Sequence, residues 1–250
     1  MNNQSTQTQV GVKENIAQFV LLVVINLFVG SMVGLERTIL PIIGEERFGL
    51  ASISAALSFI VSFGFSKAIM NFFTGSLADR MGRKQVLLIG WAVGLFVPIL
   101  VIFAHVWWVI VVANILLGIN QALTWSMTVN MKVDLAKSTQ RGLAVGFNEF
   151  AGYTGVAVMA AVSGYVASTY SLSPEPFYIG IVLVIIGFIL SWRKKRAYSE
   201  RVAGWPEEAL SNYIATMHEA RPFMPPFVGT EEERDALAHF ITKSVAKSES

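Results

Sequence analysis

The sequence predicts an all-α membrane protein, six transmembrane helices followed by a short soluble helical tail, and three observations carry that prediction. Hydrophobic residues make up 54% of the 250-residue chain against 14% charged. The charges are sparse in six long runs, each near the roughly 20 apolar residues that cross a bilayer. Lysine and arginine collect in every second gap between those runs, as they do on the cytoplasmic side of membrane proteins.

The runs cover residues 16–40, 51–77, 86–104, 107–131, 142–167 and 176–192. Each is expected to be helical, because a backbone in lipid must satisfy its own hydrogen bonds, and the runs are too long for barrel strands. The first run lacks the small-residue cleavage site of a signal peptide and is expected to stay in place. On the side of the N-terminus stand Lys13, Arg80, Arg83, Lys84, Lys132, Lys137, Arg141 and the basic run 193–196, against Arg37 and Arg47 opposite. This asymmetry puts both termini in the cytoplasm, with Trp107 and Trp108 in the outer aromatic belt and Trp192 in the inner one. Residues 1–12 are polar and expected to be disordered. Residues 13–196 form the membrane block, and 197–250 a soluble cytoplasmic tail.

The first helix carries Asn26, Gly30 and Arg37 near one face, with Gly34 beside them and Glu36 about 100° from Arg37. Arg37 is expected to face a central cavity. In the second helix Lys67 lies too deep for easy snorkelling, and Glu149 of the fifth lies at comparable depth. A buried charge is costly unless paired, so a Lys67–Glu149 intramembrane pair is expected. The fourth helix carries Asn114, Gly118, Gln121, Trp125 and Thr128 at steps of four, three, four and three. This polar and small stripe either lines a wet cavity or cements helix packing; the bulk of Gln121 and Trp125 favours the cavity. In the fifth helix Gly142, Gly146, Gly152 and Gly155 favour close packing. Asp134 and Arg141 flank the next loop, where they can pair with Arg83 or Asp79.

Between the second and third runs lies Gly75-Ser76-Leu77-Ala78-Asp79-Arg80-Met81-Gly82-Arg83-Lys84. Gly75 lets helices approach closely, Gly82 permits a tight reversal, and Asp79 suits a helix N-terminus. The segment closely resembles the loop signature of the major facilitator superfamily, between that family's second and third helices. The resemblance covers about residues 13–192, the N-terminal half of the family's usual twelve helices. It implies two inverted three-helix repeats, solute transport by alternating access, and a small-molecule substrate bound near the bilayer midplane between two halves. It also assigns the first and fourth helices to the cavity wall, so Asn26, Arg37, Asn114, Gln121, Trp125 and Glu149 become candidate pathway residues. Gly75, Asp79, Arg80, Gly82, Arg83 and Lys84 become the latch that steadies the outward-facing state. The second half would come from another half-transporter or from a second copy of this chain; a truncated or regulatory half is the alternative. The Gly-Pro pair frequent in the fifth helix of the family's antiporters is missing, which speaks against antiport. The expected location is a bacterial inner (plasma) membrane.

The tail is acidic, with nine acids against five bases over residues 197–250. Thr230 ahead of three glutamates reads as the N-cap of a helix whose Ala236, Leu237, Phe240 and Ile241 share a face. The segment 221–230 weakly resembles the distal part of class I c-type cytochromes, with Met224 in the place of the axial haem ligand. That resemblance implies, as a second function, a membrane electron-transfer protein. With no cysteine in the chain, however, disulfides, thiolate metal sites and covalent c-type haem are excluded, and no cofactor is expected. No phosphate loop, zinc-site spacing or nucleophile elbow is present, so no enzyme is expected. The basic residues follow the membrane boundary and form no patch with aromatics, which speaks against a nucleic-acid partner.

Overall fold

The computed structural model describes residues 11–192, 207–220 and 229–247. Among the described residues, six helices are long and apolar enough to cross a membrane. They are α1 (Ile16–Phe48), α2 (Ser52–Met81), α3 (Arg83–Ile102), α4 (Trp107–Leu135), α5 (Arg141–Thr169) and α6 (Glu175–Trp192). The basic run 193–196 and Met224 lie outside the described residues.

Every expected span is present, and the largest difference is the end of α1. It was expected at residue 40, but the helix runs on through Pro41 to Phe48. At 1.5 Å per residue its 33 residues reach about 50 Å, more than a bilayer core needs. Its last turns carry Glu45, Glu46 and Arg47, which suit a segment in water. Gly49, at φ 65°, ends it, its N–H reaching Glu45 O. Gly82, at φ 84°, makes the sharp reversal between α2 and α3.

The helices pair in a repeated order. α1 lies along α5, α4 lies along α2, and α3 runs beside α6. The first two pairings exchange roles when residues 16–102 are set against 107–192, as inverted three-helix repeats require. Small residues make the two long seams possible. A Cβ on Gly30 would lie 2.7 Å from the carbonyl carbon of Gly152, and one on Gly34 would lie 2.9 Å from that of Val156. Gly118 of α4 abuts the backbone of α2 at Phe63 and Lys67. Helices without glycine there could not come so close. Between α3 and α6, the buried Trp91 rests against Gly187 and donates from Nε1 to Ser191 Oγ at 2.9 Å.

Two glycine expectations fail. Gly75, Gly142 and Gly146 meet nothing within 4 Å, so the close approach on α5 belongs to Gly152 and Gly155 alone. Asp79 stands exposed in the last turn of α2 instead of at a helix N-terminus.

Order also begins earlier than expected at the N-terminus. Gly11 N–H donates to Leu135 O at 2.9 Å and Val12 N–H to Gln140 Oε1 at 3.2 Å. Val12 and Phe19 are buried with Ala136 and Ala144. Outside this cluster Lys137 Nζ binds Glu14 Oε1 at 2.7 Å, and that bond holds the Glu14 carboxyl below its ordinary range.

The tail is a separate unit. It contains α7 (Glu207–Ala220) and α8 (Glu231–Lys247), which pack through Leu210, Ile214 and Ala238, with Ile241 against them. Thr230 caps α8 in a reciprocal box: its N–H donates to Glu233 Oε2 at 2.9 Å, and Glu233 N–H returns to Thr230 Oγ1 at 3.3 Å. The expected apolar face is corrected. Ala238 is its buried centre, while Ala236, Leu237 and Phe240 are exposed.

Candidate functional site

α4 is the most buried of the six spans and α2 the least. The polar stripe of α4 therefore lies at the heart of the bundle, and most of it is spent on neighbouring helices. Gln121 is fully buried and donates from Nε2 to Val29 O of α1 at 2.8 Å. Thr128 Oγ1 lies 2.9 Å from Asn26 Oδ1 of α1 and 3.2 Å from Asn148 Oδ1 of α5. Asn26 Nδ2 in turn donates to Asn148 O at 2.7 Å. Asn26, Gln121 and Thr128 thus tie three helices together instead of facing an open cavity. The physical reason is that an amide inside a bundle gains more from a carbonyl across the seam than it loses by leaving water.

The stripe does not stop at Thr128. Lys132, expected in the loop, is fully buried and donates from Nζ to Leu22 O at 2.9 Å. It continues the same spacing by one further step of four, a signal visible in the sequence had the stripe been followed to its end.

Trp125 turns the other way, toward the half-buried groups of α2 and α5. Its Nε1 donates to Glu149 Oε1 at 2.9 Å, and Asn148 Nδ2 donates to the same oxygen at 3.1 Å. Tyr153 meets the indole edge-on at 5.8 Å. Lys67 Nζ lies 5.0 Å from the centroid of the Trp125 ring and 5.6 Å from that of Phe63. The expected Lys67–Glu149 ion pair is therefore not a direct contact: the indole stands between the charges, its face toward the ammonium and its N–H toward the carboxylate. Both charges are served, since an aromatic face attracts a cation and an N–H donor steadies an anion. On the same side Ser126 Oγ donates to Asn71 Oδ1 at 3.1 Å.

The first helix divides its two charges in the opposite sense to the one expected. Arg37 is exposed, whereas Glu36 is fully buried, and neither of its oxygens has a hydrogen-bond partner. Asn114 is likewise buried, with both amide atoms unpartnered. Glu36 falls on the line Leu22, Ile25, Val29, Met32, Glu36, Ile39 and Ile43, all buried. A carboxylate interrupting an apolar core stripe was legible in the spacing and outweighs its neighbour as a candidate.

At the α2–α3 reversal Arg83 forms an ion pair with Asp134 and donates to Asn130 O at 3.0 Å. Lys84 Nζ reaches Trp192 O at 3.0 Å. The loop thus fastens α3 to the C-terminal ends of α4 and α6.

Comparison with known proteins gives this arrangement a context. The family model described as Major Facilitator Superfamily matches residues 18–246. Similar proteins include the quinolone resistance protein NorA of Staphylococcus aureus, 24% identical over 66% of this chain, and the multidrug resistance protein MdtG of a Rahnella species, 30% identical over 61%. These matches take in 41% and 35% of the two relatives' own lengths. The cytochrome resemblance of the tail finds no support, and the region matched by the family model runs through it.

Proposed function

Because the chain belongs to the major facilitator superfamily, a family of carriers and not of enzymes, we propose that it forms one half of an alternating-access pathway for an amphipathic, drug-like solute. The chain is an integral, multi-pass membrane protein. The observation that carries the proposal is the Lys67–Trp125–Glu149 group, which offers a cation, an aromatic face and a fixed carboxylate on adjoining helices, all half-buried. A solute with an aromatic body and an ionisable group finds a counterpart for each part there.

In this reading Glu149 is the contact for a cationic group, and Trp125 both stacks on the solute and positions that carboxylate. A second half covers α2 and α5, on which Phe65, Phe72, Phe150 and Tyr153 stand exposed. It is another half-transporter or a second copy of this chain. The membrane is a bacterial plasma membrane with both termini inside.

The names of the relatives suggest the first solute to try. Cells making this chain are expected to accumulate several-fold less of a fluorescent quinolone than cells carrying the empty vector. Glu149→Gln is expected to abolish the difference while leaving the amount of chain in the membrane unchanged. Equal accumulation with wild type and empty vector refutes the proposal for this solute, and full activity of Glu149→Gln refutes the assigned site.

A further inference from the structure

The Glu149 carboxylate takes two hydrogen bonds, and both fall on one oxygen. Trp125 Nε1 donates to Oε1 at 2.9 Å, and Asn148 Nδ2 donates to Oε1 at 3.1 Å. Among the described residues nothing donates to Oε2. The two donors differ in what else they can touch. Trp125 is half-buried beside Lys67 and can meet a solute directly, whereas Asn148 is wholly buried. Whatever Asn148 does for a bound solute must therefore pass through the carboxylate it holds.

Asn148 is itself held from two other helices. Its Oδ1 lies 3.2 Å from Thr128 Oγ1 of α4, and its main-chain carbonyl accepts from Asn26 Nδ2 of α1 at 2.7 Å. An amide has one accepting end and one donating end. Here the accepting end meets a hydroxyl and the donating end meets a carboxylate; turned over, the amide would press oxygen against the charged oxygen of Glu149. Thr128 has a single proton and three oxygens in reach: Asn148 Oδ1, Asn26 Oδ1 at 2.9 Å and Trp125 O at 2.8 Å. Its hold on Asn148 is therefore shared with α1, and the α1–α4 seam bears on the carboxylate one bond removed.

We propose that Asn148 is a positioning residue: steered by Thr128 and Asn26, it pins Oε1 of Glu149 and leaves Oε2 for a cationic group of the solute. The inference rests on the reading of Glu149 as the contact for that group. A carboxylate anchored beforehand has less freedom to lose when the solute arrives, so the amide acts on affinity more than on the rate of the cycle.

The test reads the indole proton of Trp125, which reports where the carboxylate stands whether or not anything is transported. In the full chain, labelled with nitrogen-15 at tryptophan and held in lipid nanodiscs, its magnetic resonance signal is identified by loss in Trp125→Phe. Asn148→Ala is expected to move this signal toward the position it takes in Glu149→Gln. Thr128→Val is expected to move it the same way by less, and Thr128→Ser to leave it as in wild type. Valine keeps the shape of threonine and loses the hydroxyl, while serine keeps the hydroxyl and loses a methyl. A role in packing alone predicts the reverse order for these two. That reverse order, equal signals in the two, or an unmoved signal in Asn148→Ala overturns the proposal; the Thr128 pair decides it if Asn148→Ala does not fold. In cells, Asn148→Ala is expected to raise the quinolone concentration for half-maximal export several-fold with the maximal rate little changed. Indole shifts as expected without quinolone export by wild type would sink the transport reading and leave the positioning of Glu149 standing. Export with an unmoved indole signal would do the opposite.

Discussion

A Cβ at Gly30 has nowhere to go, because what it would meet is the backbone of Gly152 and not the end of a flexible side chain. Gly30→Val is therefore expected to destabilise the bundle by about 1–3 kcal/mol or more, the usual cost of overpacking. Gly146→Ala, at a position open to 4 Å, is expected to leave the melting temperature in detergent unchanged. Thermal unfolding of the two variants side by side checks the contrast. Trp125→Phe asks a different question of a single residue. It keeps a ring beneath Lys67 but removes the N–H that binds Glu149. The expected loss is about 1.5–3 kcal/mol, the range for a hydrogen bond to a charged group, together with weakened quinolone export. At this scale the sequence was partly legible. Glu149 and Lys67 stood out because charge is rare at such depth, and Trp125 because its bulk does not suit close packing, but the indole between the charges depends on side-chain direction, which spacing does not specify. Glu36 was passed over because Arg37 beside it drew attention, although the core stripe it interrupts was already written in the spacing.

Among the elements, the segment before α1 joins the membrane block through Glu14, Lys137 and the carbonyl of Leu135. The bond from Lys137 lowers the folded carboxyl of Glu14 relative to the unfolded chain. What it adds to docking is fully present above the ordinary carboxylate range and is lost as the pH falls through the lowered folded value. A spin label at Lys13→Cys is expected to become mobile in acid, and in the Glu14→Gln variant to be mobile at every pH. A label equally immobile in both would remove the pair from the docking. The helices themselves were legible from hydropathy, including the partition of α4 into a polar stripe and an apolar remainder. Which way that stripe pointed was not, because small residues and amides serve a cavity and a packed seam alike. The same ambiguity applied to the glycines of α5. Four were candidates for close packing, and the structure picks out Gly155, set against the backbone of α1, and Gly152, set against the Trp125 ring of α4.

For the whole molecule, the six spans and the reversal at Gly82 followed from two simple facts: lipid excludes unpaired backbone groups, and glycine alone enters a left-handed turn cheaply. The sidedness rests on loop charge, and the chain's lack of cysteine makes it easy to test. His105→Cys and Ser138→Cys place single thiols at exposed positions at opposite ends of α4. An impermeant maleimide is expected to label the first in intact cells and the second only after permeabilisation; the reverse pattern would turn the molecule over.

The glycine seam between α1 and α5 also bears on how such a body can move. Main chain rests on main chain at Gly30, Gly34, Gly152 and Gly155, with no side chains between to act as a cushion. Sliding one rod past the other would drive carbonyl into carbon at the first step. The two are splinted, and a tilt of either one must carry the other with it as a single plank.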